Sequence, residues 1–109
     1  MLRGALRDRL FKSDTRTLTI PLAVANFAFV SITPVLPSYQ AGSSVNLYIT
    51  IKNNGNINAR FDCKIYDTDT NAYLAGFGDY LDPGASLKYT TLVGTMPAHD
   101  WHLRVDVSP

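Results

Sequence analysis

The chain has 109 residues, a formal net charge of +1 and an apolar fraction of 46%. This length allows one ordinary domain whose core needs neither metals nor disulfides, and the apolar fraction excludes wholesale disorder. Charged residues make up 17% of the chain, and every acidic residue is an aspartate. Because glutamate is absent, strong helix formers are scarce.

The charge is divided unevenly along the chain. The first sixteen residues hold five of the ten basic residues and only two aspartates, which gives this arm a net charge of +3. The remaining residues carry five basic residues and seven aspartates, which gives a net charge of -2. Such an asymmetry indicates that the two parts meet different surroundings.

Residues 2 to 12 have the spacing of an amphipathic helix. Leu2, Leu6 and Leu10 recur at every fourth position with Phe11 beside them, while the arginines lie elsewhere on the helical wheel. A helix this short is marginal in isolation, so it needs a surface that covers its leucine face. That surface is either a partner or the chain's own domain.

An alternating segment follows the predicted helix. From Thr15 to Ile20, threonine alternates with Arg16, Leu18 and Ile20, which is typical of an extended segment, and Pro21 restricts it to a sheet edge or a connector. Such a segment can complete a neighbour's sheet by strand addition. We therefore divide the chain into a basic N-terminal arm, residues 1–25, and a domain, residues 26–109.

The N-terminal region resembles a secretory signal only in part. It has a basic start, an apolar stretch and an Ala-x-Ala pattern at Ala23 and Ala25, but aspartates interrupt the basic part and Pro21 interrupts the apolar part. The apolar residues from Leu18 to Ile32 are too few for a membrane span, which needs about 20. We expect neither a signal peptide nor a transmembrane segment.

The domain is a succession of predicted strands. Residues 26–35 are rich in Phe, Val and Ile, and residues 43–52 alternate apolar with polar side chains over the clearest strand of the chain. The sequence Asn53-Asn54-Gly55-Asn56 suits a tight turn, and residues 59–66 alternate again. We expect the strands on either side of this turn to be adjacent and antiparallel.

The same pattern continues to the end of the sequence. A polar turn at 67–71 precedes a short strand at 72–77, and Asp82-Pro83-Gly84 has the chemistry of a second turn. Residues 87–93 and 101–107 then alternate as two further strands. Five to seven strands with no intervening helix predict an all-β protein, an immunoglobulin-like antiparallel β-sandwich with a basic N-terminal arm.

Two stretches of the domain resemble the CARDB-type immunoglobulin-like domain. The run from Gly42 to Gly55, GSSVNLYITIKNNG, has a glycine that opens a long alternating strand and an Asn-x-Gly turn that ends it. The run from Leu81 to Ser86, LDPGAS, has the Pro-Gly turn that precedes the next strand in that family. The resemblance covers about residues 29–107. It implies the fold and a binding or spacing role, with no catalytic residues.

One cluster carries side chains of the kind found in active sites. His99, Asp100 and His102 lie close in sequence, but the two histidines point to opposite faces if the segment is a strand. Cys63 is the single cysteine, and its place in an alternating apolar run indicates an inert core thiol. An enzyme would require these four residues to converge on a pocket, and we expect no enzyme.

The segment Asp67-Thr-Asp69-Thr-Asn71 begins as a calcium loop does, with oxygen ligands at alternate positions. Ala72 then replaces the loop glycine and Gly78 replaces the closing carboxylate. A turn whose Asp and Asn side chains bond their own backbone explains the pattern better. We predict no metal site and no cofactor.

The basic arm is the most informative functional feature. Its charges could neutralise phosphates, lie on anionic lipid or dock in an acidic groove of a protein. Nucleic acid is disfavoured because, apart from Phe11, no aromatic residue is interleaved with the basic ones and because the domain is acidic. The predicted partner-binding residues are the arm's basic and large apolar side chains: Leu2, Arg3, Leu6, Arg7, Arg9, Leu10, Phe11, Lys12 and Arg16.

These features predict a non-enzymatic structural protein, a sandwich anchored by its arm in a larger assembly such as a virion decoration, a capsid-associated protein or a surface subunit. The expected partners are proteins, in a homo-oligomer or a capsid or surface lattice, and neither nucleic acid nor a membrane. The expected location is a virion or another extracellular assembly.

The alternative is a cell-surface adhesion or carbohydrate-binding module of CARDB type. It predicts cleavage after Ala25 and aromatic residues exposed on one face. The six tyrosines of the chain offer flat amphipathic surfaces.

Overall fold

The structure, a computed structural model, describes residues 13–109. The helix predicted over residues 2–12 lies outside the described residues. Six strands follow one another along the chain: β1 (Phe27–Pro34), β2 (Ser44–Asn53), β3 (Ala59–Asp67), β4 (Tyr73–Leu81), β5 (Ser86–Thr95) and β6 (Leu103–Ser108). Residues 13–109 contain no helix with the length and hydropathy that a membrane crossing requires.

The strands form two three-stranded antiparallel sheets. Sheet A has the order β1-β2-β5 and sheet B the order β4-β3-β6, so β2 and β3 are the central strands. The two sheets pack face to face through their apolar sides, which is the usual way for half-buried strands to cover one another. The prediction of an all-β antiparallel sandwich is confirmed.

Alternation places the core where the sequence pattern predicts it. Every second residue of β2 and β3 is buried between the sheets, while the intervening residues face outward. The buried apolar side chains are Phe27, Val45, Leu47, Ile49, Ile51, Phe61, Cys63, Ile65, Leu81 and Val93. The Phe61 ring lies at the centre of an aromatic cluster, with ring centroids of Phe27 and Tyr89 each 5.5 Å away.

One prediction about strand pairing is wrong. The strands on either side of the 53–56 turn are not neighbours, because β2 belongs to sheet A and β3 to sheet B. The connection crosses between the sheets, and the reason is Asn53, which is fully buried. Its side-chain amide donates to the carbonyl oxygens of Ile57 (2.8 Å) and Leu81 (2.9 Å), so it ties the end of β2 to the opposite sheet.

The predicted turn at residues 82–84 is confirmed. Gly84 has a φ of 78°, a conformation that glycine adopts without strain, and the Ala85 amide donates to the Asp82 carbonyl at 3.0 Å. The strand predicted at 72–77 is longer and extends to Leu81. The last strand begins at Leu103, so Trp101 precedes it instead of opening it.

The two sides of the sandwich, where the edge strands of opposite sheets meet, are built differently. On one side β4 lies against β5, and the Tyr89 hydroxyl donates to Asp79 Oδ2 at 2.9 Å across the sheets. The rings of Phe77 and Tyr89 also pack there, 5.0 Å apart. Burial, followed by the Asp79 hydrogen bond and charge, raises the pKa of Tyr89. We call this closed side the β4/β5 seam.

Candidate functional site

The described part of the arm is exposed from residue 13 to residue 24. Residues 13–26 form no regular secondary structure, and the alternate apolar side chains Leu18, Ile20 and Leu22 are 82%, 82% and 81% exposed. Large apolar side chains at this exposure lose the free energy that burial would supply, about 2 kcal/mol for each one. These three side chains form an exposed apolar row at alternate positions of the arm.

The base of the arm is held firmly by one loop residue. Asn56 Oδ1 accepts a hydrogen bond from the Val24 amide at 2.8 Å, and Asn56 Nδ2 donates to the Leu22 carbonyl at 2.8 Å. The Asn56 amide also donates to the Val24 carbonyl at 3.1 Å. These bonds fix the point at which the arm leaves the sandwich.

Gly55 allows the arm to cross the loop closely. A Cβ atom at this position would overlap the Val24 carbonyl oxygen and lie 3.0 Å from the Asn26 amide nitrogen. The Gly55 amide in turn donates to Asn53 Oδ1 at 2.8 Å. The buried Asn53 thus shapes the loop, and the loop positions the arm.

Of the predicted partner-binding residues, Arg16 lies in the described part of the chain. Its side chain is exposed and pairs with Asp14, with 3.2 Å between Arg16 Nε and Asp14 Oδ2. A surface pair of this kind contributes little to stability, so Arg16 stays accessible. The other predicted residues lie outside the described residues: Leu2, Arg3, Leu6, Arg7, Arg9, Leu10, Phe11 and Lys12.

The second side of the sandwich is open, and we call it the β1/β6 cleft. The pairing of β1 with β2 shifts register between Phe29 and Ser31. After the shift, Ile32 pairs with Ile49 and Pro34 pairs with Leu47, so both β1 residues lie on the core side of sheet A. Ile32 is nevertheless 38% exposed. The core-facing side chains of β6 are only half-buried: Leu103, Val105 and Val107.

The cleft widens at one end into an open pocket of about 410 Å³. Its walls are apolar except for a serine, a tyrosine and an aspartate, and the lining residues come from β1, β2, β6 and the connections between strands: Pro34, Leu36, Pro37, Ser38, Tyr39, Val45, Leu47, Met96, Asp100, Trp101 and Leu103. The Tyr39 hydroxyl donates to the Asn46 carbonyl at 3.1 Å, which fixes this wall. A pocket of this size and chemistry suits apolar groups.

Trp101 is positioned in this pocket by the polar turn. Its Nε1 donates to Asp67 Oδ2 at 3.1 Å, while Asp67 Oδ1 accepts from the amides of Asp69 (2.8 Å) and Thr70 (3.3 Å). The Trp101 hydrogen bond is the largest cause that holds the pKa of Asp67 below its ordinary value, and these two amides lower it further. Of the oxygens considered for calcium, Asp67 Oδ1 therefore bonds the backbone of its own turn, while Asn71 Oδ1 accepts a hydrogen bond from Arg104 at 3.3 Å.

The residues considered for catalysis lie apart. Cys63 is buried in the middle of β3, whereas His99 and His102 are exposed on the segment before β6. Burial, followed by the charge of Asp106, raises the pKa of the Cys63 thiol to about 11. Within residues 13–109, no three His, Cys or Asp side chains lie close enough to hold a metal ion.

Three tyrosines share the outer face of sheet B. Tyr73 and Tyr80 on β4 are 59% and 60% exposed, and Tyr66 on β3 packs edge-on against Tyr73 with 5.7 Å between ring centroids. The Arg104 guanidinium lies 4.5 Å from the centre of the Tyr66 ring, and Arg60 lies 6.0 Å from that of Tyr80. This face is amphipathic and has a shallow pocket of about 230 Å³ beside Tyr73, Gly76 and Gly78.

Sequence reasoning missed both Asn56 and the β1/β6 cleft. The exposed apolar row of the arm is visible in the sequence, because the alternation of apolar residues that begins at Leu18 continues past Pro21 to Leu22 and Val24. No local pattern marks the cleft, since its two walls are about 70 residues apart and depend on which strands become edges.

Comparison with known proteins yields a likeness of fold. No protein family model matches this sequence, and no curated protein matches it. Among solved structures, a β-glucosidase from Erythrobacter marinus aligns with a TM-score of 0.59 and 14% identity, over 98% of this chain. The alignment covers 17% of that chain, so the present sequence spans a small part of its length. At this identity the similarity concerns the fold alone.

Proposed function

We propose that this protein is a non-enzymatic assembly subunit, a rigid β-sandwich that is anchored to protein partners through its N-terminal arm. The observation that supports this proposal is the exposed alternating row of Leu18, Ile20 and Leu22 on a segment whose base is fixed by Asn56. A flexible tail would gain nothing from an anchored base, whereas a docking segment benefits from a defined direction.

Charge supports a protein partner for the arm. The first sixteen residues carry a net charge of +3, and an arm that offers both apolar and basic side chains suits an acidic protein surface with an apolar groove. The assembly that we favour is a homo-oligomer or a lattice such as a viral capsid or cell surface, with the sandwich as an immunoglobulin-like spacer.

The test compares two variants of the full chain in its native source. Ile20→Asp places a charge in the exposed apolar row, and Thr19→Asp places the same charge at the neighbouring position. We expect wild type and Thr19→Asp to co-sediment with particles of high mass, and Ile20→Asp to remain in the slowly sedimenting fraction. If Ile20→Asp co-sediments as wild type does, the arm does not anchor the protein.

The second candidate function is binding of a carbohydrate on the outer face of sheet B. The supporting observation is that Tyr73 and Tyr80 are exposed on one face, with Gly76 and Gly78 between them. Tyrosine rings stack on the apolar faces of sugars. Co-precipitation with insoluble cellulose or chitin tests it: wild type should bind and Tyr73→Ala/Tyr80→Ala should not, with Tyr48→Ala on sheet A as the control. Equal retention of all three proteins contradicts this candidate.

A further inference from the structure

We propose that the arm's partner is a second copy of this chain: residues 18–22 of one copy add as a strand to the outer edge of β6 in another, and Leu18, Ile20 and Leu22 fill the β1/β6 cleft. This inference rests on the anchoring function proposed above and names its receptor. It identifies both the donor and the acceptor within one sequence.

The outer edge of β6 is suited to accept a strand. Within residues 13–109, β6 pairs with β3 alone, and this pairing runs from Leu103 to Ser108 without a register shift. Each of the other three edge strands, β1, β4 and β5, pairs through a register shift. Such irregularities obstruct strand addition, so β6 is the most regular edge of the described sandwich.

The cleft and the donor match in number and spacing. Three side chains of β6, Leu103, Val105 and Val107, face the core from alternate positions and are only half-buried. The arm offers three apolar side chains at the same alternate spacing. A strand laid beside β6 would bring the two rows together between the sheets and would cover Ile32 of β1, which is 38% exposed.

Pro21 agrees with this register. In a strand, the backbone groups of alternate residues point to the same side, so Leu18 and Ile20 can bond β6 while the odd-numbered residues face solvent, and the Leu22 carbonyl stays with Asn56 of its own copy. Proline lacks an amide hydrogen and is tolerated on the solvent side of an edge strand. Residue 21 is odd-numbered, and the apolar residues 18, 20 and 22 are even-numbered.

The arm does not reach its own cleft without losing contacts. The chain passes from Leu22 to Val24 under the hydrogen bonds of Asn56 and enters β1 at Phe27. Reversal of the chain toward β6 of the same copy would break these bonds. A second copy can present its cleft to the arm as the arm stands.

Charge complementarity favours a second copy. The arm carries a net charge of +3 and the rest of the chain a net charge of -2. The basic arm of one copy is therefore attracted electrostatically to the acidic sandwich of another, whereas two sandwiches repel each other. Asp100 places a carboxylate at the pocket where the cleft widens.

Two measurements on the purified full chain test the proposal. In light scattering after size exclusion, wild type and Thr19→Asp should form dimers or longer chains. The association of Ile20→Asp should be weaker by about tenfold or more, because a buried charge opposes insertion. Circular dichroism should show the same fold for all three, since both substituted side chains are exposed.

The second measurement uses a synthetic peptide of residues 13–22 added to the Ile20→Asp protein. Trp101, the single tryptophan, lines the pocket, so insertion should shift its fluorescence to shorter wavelength. A peptide with aspartate at position 20 should leave the emission unchanged, and the substitution Ile32→Asp in the receiving protein should abolish the shift.

Wild type that stays monomeric at millimolar concentration, or a peptide that leaves Trp101 unaffected, overturns the proposal. The anchoring function would still stand if Ile20→Asp alone were lost from native particles. If Ile20→Asp also stays with those particles, both proposals fail.

Discussion

The two sides of the sandwich differ in a way that is clearest around Ile49. This fully buried residue of β2 has Tyr89 as its neighbour on the β5 side and Ile32 as its neighbour on the β1 side. Tyr89 reaches across to sheet B and bonds Asp79, whereas Ile32 faces the β1/β6 cleft and stays 38% exposed. One side is closed by the chain's own side chains, and the other is open to an added strand.

Under the proposed assembly, stability and recognition lie on opposite sides of the sandwich. The β4/β5 seam combines a hydrogen bond with packed aromatic rings, which hold the sheets together. The β1/β6 cleft leaves apolar area uncovered, which a monomer tolerates only because the rest of the core is complete.

Asn53→Asp should destabilise both sides at once. Aspartate has the same shape but cannot donate to the carbonyl oxygens of Ile57 and Leu81, which would then be left unpaired beside a buried carboxyl group. We expect a loss of about 3 kcal/mol in the free energy of unfolding, measured by urea denaturation.

The control for this substitution is Asn54→Asp, which adds the same charge at the exposed neighbouring position. It should change the free energy of unfolding by less than about 0.5 kcal/mol. Equal stability of the two variants would show that Asn53 does not tie the sheets together.

Tyr89→Phe should weaken the closed seam alone. It removes the hydroxyl that donates to Asp79 Oδ2 at 2.9 Å and keeps the packed ring. We expect the free energy of unfolding, measured by urea denaturation, to fall by about 1 kcal/mol. Tyr48→Phe, on the outer face of the same sheet, is the matched control and should cost less. A loss no larger than that of the control would contradict the closed seam.

Ile32→Ala should hardly affect the monomer, because its side chain is partly exposed at the open side. In the Ile20→Asp background, which prevents association, we expect a loss of about 0.5 kcal/mol. Ile49→Ala in the same background should cost about 3 kcal/mol, since it leaves a cavity in the core. Similar losses for both would mean that the cleft is already filled.

Acid should release Trp101 from its position beside the cleft. The pKa of Asp67 is lowered in the folded protein, so its contribution to stability is present above the ordinary value of 3.8 and is lost as the pH falls through the lowered pKa. Trp101 fluorescence, followed from about pH 5 to about pH 2, should therefore change only at the acid end. Asp67→Asn removes the titrating group, and its emission should not show this change.

The fold followed from the sequence wherever the cause was local. Alternation at Val45, Leu47, Ile49 and Ile51 predicted the buried face of β2, because side chains in a strand alternate between faces. Chemistry at Asp82-Pro83-Gly84 predicted its turn.

The pairing of strands did not follow from local pattern. The turn residues at 53–56 are compatible both with a hairpin and with a connection between the two sheets. The buried hydrogen bond from Asn53 to Leu81, which is far along the chain, favours the connection between sheets. The cleft likewise depends on β1 and β6 becoming edges on the same side. Partners distant in sequence therefore determined what the pattern left open.

Hydrogen exchange in β6 shows whether the arm of a second copy covers this strand. Exchange of the amides in residues 103–108 is measured in wild type and in Ile20→Asp at low and high protein concentration. We expect exchange in residues 18–22 and in β6 to slow together in wild type as the concentration rises, and to stay constant in Ile20→Asp. Exchange in β6 that is identical in the two proteins at every concentration would contradict this expectation.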